Sequence, residues 1–279
     1  MTKVWFVVIL AGFLWACQPA PSGGSDPTPP PAVPPVASPP PAPPAVTPPS
    51  PPTTPPSPPP TPPSPPPAGT TVGFVSSSDL TLNTATSLTV PTPTGTQAGD
   101  TMIAVLLLSG QVSNLSSTSG FTAFSGYPVI ENVSTVKTVW LLRKTASAAE
   151  SASQTFGFAQ TRARAAVFTY RNVGTMREAR ASGNSSTAVT PDIATTTNAR
   201  VLRLLSISPV NHSYSTTPNV ALEARVTTPT SVLPTSLFLY AGDAASTGNN
   251  AGSVSFAVRD VDNNAQSIPY TAITLSLEP

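Results

Sequence analysis

The chain is 279 residues long, only 9% of its residues are charged, and its net charge is +1. Typical soluble proteins carry about 25% charged residues. A nearly neutral surface gives no electrostatic basis for binding nucleic acid or for a polybasic contact with anionic lipid. The composition therefore favours an extracellular, threonine-rich β-protein.

The first 16 residues have the pattern of an export signal. Lys3 supplies a positive charge, and an apolar run of 11 residues follows at positions 4–14. That is the length of a signal-peptide core, whereas a permanent bilayer span needs about 20 residues. The sequence therefore predicts a cleaved signal peptide over residues 1–16.

The residues Leu14-Trp15-Ala16-Cys17 end this leader. They resemble the lipobox of bacterial lipoproteins, which implies a diacylglycerol on the Cys17 thiol and cleavage directly before it. Cys17 is the only cysteine, so no disulfide partner exists within the chain. Gln18 follows where an aspartate would resemble an inner-membrane retention signal, and this favours the outer membrane in a host that has one. The alternative is an ordinary signal peptide with an incidental cysteine.

A proline-rich stretch comes next, with 27 of the 37 prolines between residues 19 and 67. Proline fixes φ and lacks the backbone donor, so neither a helix nor a sheet ladder forms here. Polyproline II at about 3.1 Å per residue would extend this stretch to roughly 150 Å. We interpret residues 17–69 as the lipidated cysteine and a disordered linker that holds a domain away from the membrane. A PxxP ligand for a partner domain is the alternative.

Residues 70–279 are predicted to form a single all-β domain. The clearest strand patterns lie at 102–108, 136–142, 254–258 and 271–277. Residues 102–108 are apolar on both faces, which predicts a central strand covered on both sides. Turn signals separate such runs, and they include Pro93-Thr94-Gly95, Ala98-Gly99-Asp100, Asn172-Val173-Gly174, Ala241-Gly242-Asp243 and Asp262-Asn263-Asn264. About twelve strands of this kind favour a two-sheet antiparallel sandwich of jelly-roll type.

Three segments of the domain carry a resemblance to a known module. They are residues 87–106 (SLTVPTPTGTQAGDTMIAVL), 140–156 (WLLRKTASAAESASQTF) and 166–174 (AVFTYRNVG). Their order and spacing resemble a β-sandwich module that recurs in secreted bacterial proteins and in phage-tail or adhesin-like proteins. Phe121 and Asn172 depart from its usual Trp and Gly. The resemblance implies extracellular display and contact with a glycan or a surface, without a settled activity.

The matching residues also have structural explanations. Gly95 and Gly99 permit the positive φ of turns before a buried strand. Asp100 is well placed to accept hydrogen bonds from turn amides. Tyr170 and Arg171 stand at a predicted strand end, where we expect them to cap the sandwich rather than bind a ligand.

The sequence offers little basis for an enzyme. His212 is the only histidine, and the loop-like stretch around it lacks a nucleophile motif such as G-x-S-x-G. One histidine and one lipidated cysteine do not make the usual zinc site, and no cofactor is indicated. A glycoside hydrolase needs two facing carboxylates, and spacing singles out no pair among Asp79, Asp100, Glu131, Glu150, Glu178, Asp192, Glu223, Asp243, Asp260, Asp262 and Glu278.

Asp260 and Asp262 are weak candidates for calcium binding. The oxygen-rich stretch Asp260-x-Asp262-Asn263-Asn264 suits calcium, but it lacks the glycine and the distal glutamate of an EF-hand loop. An acidic hairpin turn is the alternative interpretation.

Arg162, Arg164 and Arg171 lie close together in one predicted strand. The first two point to the same face, because side chains alternate along a strand. Glu150 and Glu178 are their candidate partners, with an exposed polar face as the alternative. Since no aromatic residues interleave with them, the arginines do not resemble a nucleic-acid surface.

Two hypotheses for the function follow, both with the chain in the cell envelope. The first is a binding or adhesion module whose ligand is a glycan, a cell-surface polymer or a protein. The second is a structural envelope component without a small ligand, and a glycan-active hydrolase is a distant third. Exposed aromatic side chains on a concave surface would favour the first hypothesis, and the candidates are Trp140, Tyr127, Tyr214, Phe121 and Phe124.

Overall fold

The computed structural model describes residues 71–279, except residues 134, 208–213, 227–236 and 261 and the side chains of residues 82, 83, 132, 133, 135 and 214. Cys17, the proline-rich stretch and His212 lie outside these residues, so the signal peptide, the lipid anchor and the linker stay predictions. The described part belongs to one compact unit, Pro60–Pro279. It contains no helix long and apolar enough to cross a membrane.

The described residues have an all-β fold, as the sequence predicts. They contain fourteen strands: β1 (Gly73–Pro91), β2 (Thr101–Ser109), β3 (Thr122–Ala123), β4 (Val129–Val133), β5 (Thr135–Thr145), β6 (Ser153–Arg171), β7 (Thr175–Ser185), β8 (Thr187–Thr190), β9 (Ile193–Ile207), β10 (Tyr214–Pro218), β11 (Glu223–Val226), β12 (Phe238–Ala251), β13 (Val254–Asp260) and β14 (Ile268–Glu278). The four clearest strand patterns in the sequence correspond to β2, β5, β13 and β14.

The strands form three antiparallel sheets. The first sheet has the order β1-β6-β2-β5-β3, with β4 also paired to β5. The second has the order β11-β12-β9-β14-β7, and the third has the order β10-β13-β8. This connectivity differs from the expected jelly roll, because β1 to β6 complete one sheet before the chain starts the others.

The main hydrophobic core lies between the first and second sheets. Ile103 and Leu107 of β2 face Leu204 of β9 and Ile273 of β14, and all four side chains are buried. The opposite face of β2 is buried as well, since Leu106 belongs to a second cluster with Trp140 and Phe156. β2 is therefore the central, doubly covered strand that the sequence predicts.

The third sheet covers the outer face of the second sheet. Phe256 and Val258 of β13 pack with Leu205 and Ile207 of β9 in a third hydrophobic cluster. The ring of Phe256 lies 5.1 Å from that of Tyr240, measured between centroids. This layer was not predicted, and it buries β9 and β14 on both faces.

Glycines in the domain serve turns at some positions and close packing at others. Gly95 and Gly99 have φ values of 83° and 88°, which confirms the turns predicted there. The turn predicted at Gly242 is wrong, because this residue lies inside β12. A Cβ at Gly242 would stand 2.8 Å from the Tyr240 hydroxyl and 3.1 Å from Leu222 Cβ. Close packing, rather than chain reversal, requires the glycine.

Candidate functional site

Two sheet edges meet on one side of the sandwich. β7 is an edge strand of the second sheet, and β3 and β4 form an edge of the first. Between β3 and β4, Tyr127 donates a hydrogen bond to Glu178 Oε1 of β7 at 2.8 Å. Cavities of about 500 and 370 Å³ lie along β7 on either side of this contact. We name the two cavities and the contact between them the edge groove.

The contact that divides the edge groove joins aromatic, acidic and basic side chains. Arg180 of β7 donates a hydrogen bond to the Gly126 carbonyl at 2.7 Å, and its guanidinium lies 5.2 Å from the centroid of the Tyr127 ring. Burial, together with the Glu178 carboxylate, raises the pKa of Tyr127 well above its usual range. The hydroxyl therefore stays protonated as the donor that holds the two edges together.

The larger cavity is polar, and one of its two cations has no ion pair within the described part of the chain. Lys144 Nζ lies 2.6 Å from Glu150 Oε1. Burial alone would raise the pKa of Glu150, but hydrogen bonds from Lys144 and the Ser147 amide lower it to about 2. Arg143 is exposed, stands over the Phe124 ring at 5.4 Å and has no carboxylate partner among the described residues. The other lining side chains include Thr101, Thr122, Thr145 and Met176.

The smaller cavity combines a carboxylate, small polar side chains and an aromatic ring. Glu131 of β4 lines it from the first sheet, and Ser182, Asn184 and Tyr270 line it from the second. Gly183 of β7 pairs with Tyr270 of β14, and a Cβ at Gly183 would stand 3.1 Å from the tyrosine ring. The glycine thus leaves room for the ring to lie across the edge strand, as aromatic residues often do beside edge glycines.

A buried polar cluster stands behind the smaller cavity. Lys137 is 2% exposed, its Nζ lies 3.0 Å from Glu131 Oε2, and it donates a hydrogen bond to Ser206 Oγ at 2.8 Å. Among the described residues, Glu131 Oε1 and the Thr271 hydroxyl have no hydrogen-bond partner. Burial lowers the pKa of Lys137, and Glu131 opposes this effect. The cluster therefore pairs the charges of Lys137 and Glu131 but leaves oxygen atoms that could accept further hydrogen bonds.

A second buried polar cluster links the sheets away from the groove. The fully buried Asp243 of β12 accepts hydrogen bonds from Tyr170 at 2.8 Å, Arg200 at 2.9 Å and Arg225 at 3.0 Å. The exposed Glu223 pairs with the same two arginines. Tyr170 belongs to the first sheet and the other residues to the second, so Tyr170 has the structural role that the sequence predicts.

The motif residues Asp100 and Arg171 form a clamp. Arg171 donates to the buried Asp100 carboxylate through Nε at 2.8 Å and Nη2 at 2.9 Å. The Gln97 amide donates to the same carboxylate at 2.8 Å, which confirms the predicted hydrogen bond to a turn amide. The clamp ties the turn before β2 to the end of β6.

Asp100→Ala is expected to lower the free energy of unfolding by about 1–3 kcal/mol, because it removes the buried carboxylate that accepts from the Gln97 amide and the Arg171 guanidinium. Urea denaturation measures the change. Asp262→Ala, at an exposed turn position, serves as the control and should leave the midpoint unchanged. Equal midpoints for both variants would refute the structural role of the clamp.

Arg164 has a different partner from those expected. Arg164 Nη2 lies 3.0 Å from Asp79 Oδ2, whereas Glu150 pairs with Lys144 and Glu178 accepts from Tyr127. The predicted pairing of Arg164 with either glutamate is therefore wrong. The partner comes instead from β1, which lies beside β6 in the first sheet.

The aromatic candidates divide between the core and the groove. Trp140 and Phe121 are buried in the second cluster, and Trp140 Nε1 donates to the Val112 carbonyl at 3.1 Å. Phe124 and Tyr127 are half-buried and lie beside the groove. The side chain of Tyr214 lies outside the described residues.

The acidic side chains mostly serve the fold. Within the described part, seven of them form ion pairs: Asp79, Asp100, Glu131, Glu150, Glu223, Asp243 and Glu278. This part of the chain holds no cluster of three or more His, Cys, Asp and Glu side chains arranged to bind a metal. Most of the carboxylates balance structural cations.

Asp260 accepts hydrogen bonds from its own turn. Its Oδ1 accepts from the amides of Asp262 at 3.0 Å and Asn264 at 2.8 Å, and its Oδ2 accepts from Gln266 Nε2 at 2.8 Å. The hydrogen bond from the Asn264 amide is the main cause that lowers the pKa of Asp260. The arrangement is that of an acidic hairpin turn.

Added calcium is therefore expected to leave the thermal unfolding midpoint of the protein unchanged, because the oxygens of Asp260 already accept hydrogen bonds. Scanning calorimetry with excess calcium and with a chelator makes the comparison. A higher midpoint in calcium that disappears in Asp260→Asn would restore the calcium hypothesis.

A third cavity, of about 260 Å³, is lined by residues of β9 and β12 in the second sheet. Arg203 lines it and donates to the carbonyls of Pro191 at 2.5 Å, Ala251 at 2.9 Å and Gly252 at 2.6 Å. Burial lowers the pKa of this arginine to about 10. Because the arginine donors are used to hold loops, this cavity is a suitable reference site for comparison with the edge groove.

Comparison with known protein families, curated proteins and solved structures finds no match to this chain.

Proposed function

We propose that the chain is an exported lipoprotein, anchored through Cys17, whose β-sandwich domain binds an extracellular ligand in the edge groove. The paired cavities of about 500 and 370 Å³ along β7 carry this proposal. Small-molecule sites commonly have volumes of about 300–1,000 Å³. The lipid anchor places the domain in the cell envelope, at the outer membrane where the host has one.

The shape and chemistry of the groove suit an extended polar ligand. From Met176 to Asn184 the groove follows β7 for roughly 26 Å, at about 3.3 Å per residue. Along this length it offers the Arg143 guanidinium, the Glu131 carboxylate and several hydroxyl and amide groups. A glycan, another cell-surface polymer or an extended protein segment presents complementary donors and acceptors.

A structural role in the envelope, without a small ligand, is the second candidate. Val136 and Val220, at 39% and 43% exposure, are the large hydrophobic side chains exposed in the described part of the chain. A surface with so few large exposed hydrophobic side chains offers no broad apolar patch for a ligand. This observation favours a spacer or cap domain.

The anchor is tested by Cys17→Ala in the full chain. We expect the variant to lose radiolabelled palmitate incorporation and to leave the membrane fraction, because the thiol that would carry the lipid is gone. Fractionation of cells that express either chain measures this. A variant that is still processed and membrane-bound would overturn the anchor.

The groove is tested by filling its cavities. Thr122→Trp and Ser182→Trp should each abolish attachment of the protein to envelope fractions and to a glycan array, because indole groups would occupy the two cavities. Thr247→Trp places the same group at the third cavity and should bind normally. Attachment to the envelope by all three variants, with no signal on the array, would favour the structural role.

A further inference from the structure

Glu131 lines the smaller cavity, and one of its two carboxylate oxygens has no partner among the described residues. The residue is 8% exposed, its Oε2 lies 3.0 Å from the Lys137 ammonium, and its Oε1 has no hydrogen-bond partner among the described residues. A buried acceptor without a donor is costly, and it is usually satisfied by protein, water or a ligand. A ligand whose donor reaches Oε1 from this cavity would therefore be stabilised.

Lys137 determines which kind of donor fits. Its ammonium lies 3.0 Å from Glu131 Oε2, so the carboxylate is already neutralised by a positive charge. A cationic ligand would meet the repulsion of this buried ammonium, and an anionic ligand would meet the carboxylate. The remaining choice is an uncharged ligand with hydroxyl or amide donors.

The other lining groups complete a site for a sugar. Tyr270 presents a half-buried ring whose position over Gly183 is set by strand pairing. Ser182 and Asn184 are exposed side chains that both donate and accept hydrogen bonds. Sugar rings combine apolar C–H faces, which pack on aromatic rings, with hydroxyls that donate to carboxylates.

We infer that the smaller cavity binds one residue of a neutral glycan, with the ring of Tyr270 as its platform and Glu131 Oε1 as an acceptor for one of its hydroxyls. This inference rests on the proposed function and names the ligand class and the contacts. The volume of about 370 Å³ suits a single sugar ring, so the rest of the chain would follow the edge groove.

The test measures binding of the full chain in detergent micelles to neutral oligosaccharides by calorimetry. The probes are hexamers of glucose in β1,4 and α1,4 linkage and of N-acetylglucosamine, with polygalacturonate as the acidic comparator. Tyr270→Ala and Asn184→Ala should each weaken binding of the neutral probe by about tenfold or more. Tyr270→Phe keeps the ring, and Asn250→Ala makes the matched change at the third cavity, so both should bind as the parent does.

To test the role of the Glu131 carboxylate in sugar binding, a variant that still folds is needed. Glu131→Ala alone is unsuitable, because it leaves Lys137 buried without its partner. The paired change Glu131→Leu with Lys137→Met removes both charges, and it should abolish sugar binding while the protein stays folded. Neutral binding that survives in this variant and in Tyr270→Ala would overturn the sugar site and leave the proposed function standing. Envelope attachment without binding to any neutral probe would do the same. A parent chain that neither attaches to the envelope nor binds any neutral probe would overturn the sugar site and the proposed function together.

Discussion

Asp243→Ala is expected to lower the free energy of unfolding by about 3–5 kcal/mol, the usual loss when one partner of a buried charge cluster is removed. Arg200, Arg225 and Tyr170 would keep their positions without the carboxylate that accepts from all three. For a domain of this size the thermal midpoint would fall by about 6–20 °C. Guanidinium and thermal denaturation of the purified protein measure both quantities.

Glu223→Ala is the matched control, because Glu223 pairs with the same two arginines from the surface. Its side chain is 63% exposed, and exposed ion pairs contribute less than about 1 kcal/mol. A larger loss for Asp243→Ala than for Glu223→Ala would show that burial of the carboxylate causes the destabilisation. Similar losses for the two variants would show that the arginines, rather than the buried carboxylate, determine the stability of this cluster.

Glu131→Gln should destabilise the domain by a similar amount, about 3–5 kcal/mol at pH 7. The ammonium of Lys137 would remain between the two sheets, with Ser206 as its described hydrogen-bond partner and no opposite charge beside it. Urea denaturation measures the loss. The paired change Glu131→Leu with Lys137→Met should recover most of the stability, since it removes both buried charges.

The loss in Glu131→Gln should shrink as the pH rises. Burial lowers the pKa of Lys137 in the folded state, and the unfolded value is about 10.4. Between these two values the unfolded chain binds more protons than the folded chain, so stability rises with pH. Glu131 raises the pKa of Lys137 in the folded state, so its removal lowers this pKa further. The pH range over which stability rises is therefore wider in the variant than in the parent. Denaturation curves at pH 7 and pH 10 that show equal losses would contradict a charged Lys137 as the cause.

Strand periodicity predicted much of the fold, because each pattern reports directly on which faces are covered. Residues 102–108, apolar on both faces, correspond to β2, which is buried on both faces. Ile273, Leu275 and Leu277 share one face in the sequence and share the main core in the structure. The third sheet escaped prediction, because β8 and β10 are short strands of mixed polarity.

The two buried charge clusters escaped prediction for separate reasons. Asp243 follows Gly242, and this dipeptide resembles a turn, yet packing against Tyr240 explains the glycine. Lys137 stands two residues before Val139, at alternating positions of one strand, so its inward direction was available from the pattern. The pattern did not identify Glu131 as its partner, because periodicity shows which face of the strand a residue lies on and not which residue lies opposite it.

By itself the sequence determined the all-β class, the doubly covered central strand, the turns at Gly95 and Gly99 and the turn-capping role of Asp100, all of which depend on local alternation and backbone preference. The tertiary structure alone decided which edges meet. Tyr170 and Asp243 are 73 positions apart and Tyr127 and Glu178 are 51 apart, and no local pattern encodes such separations. The edge groove exists because β7 and the β3–β4 edge end two different sheets on the same side of the sandwich.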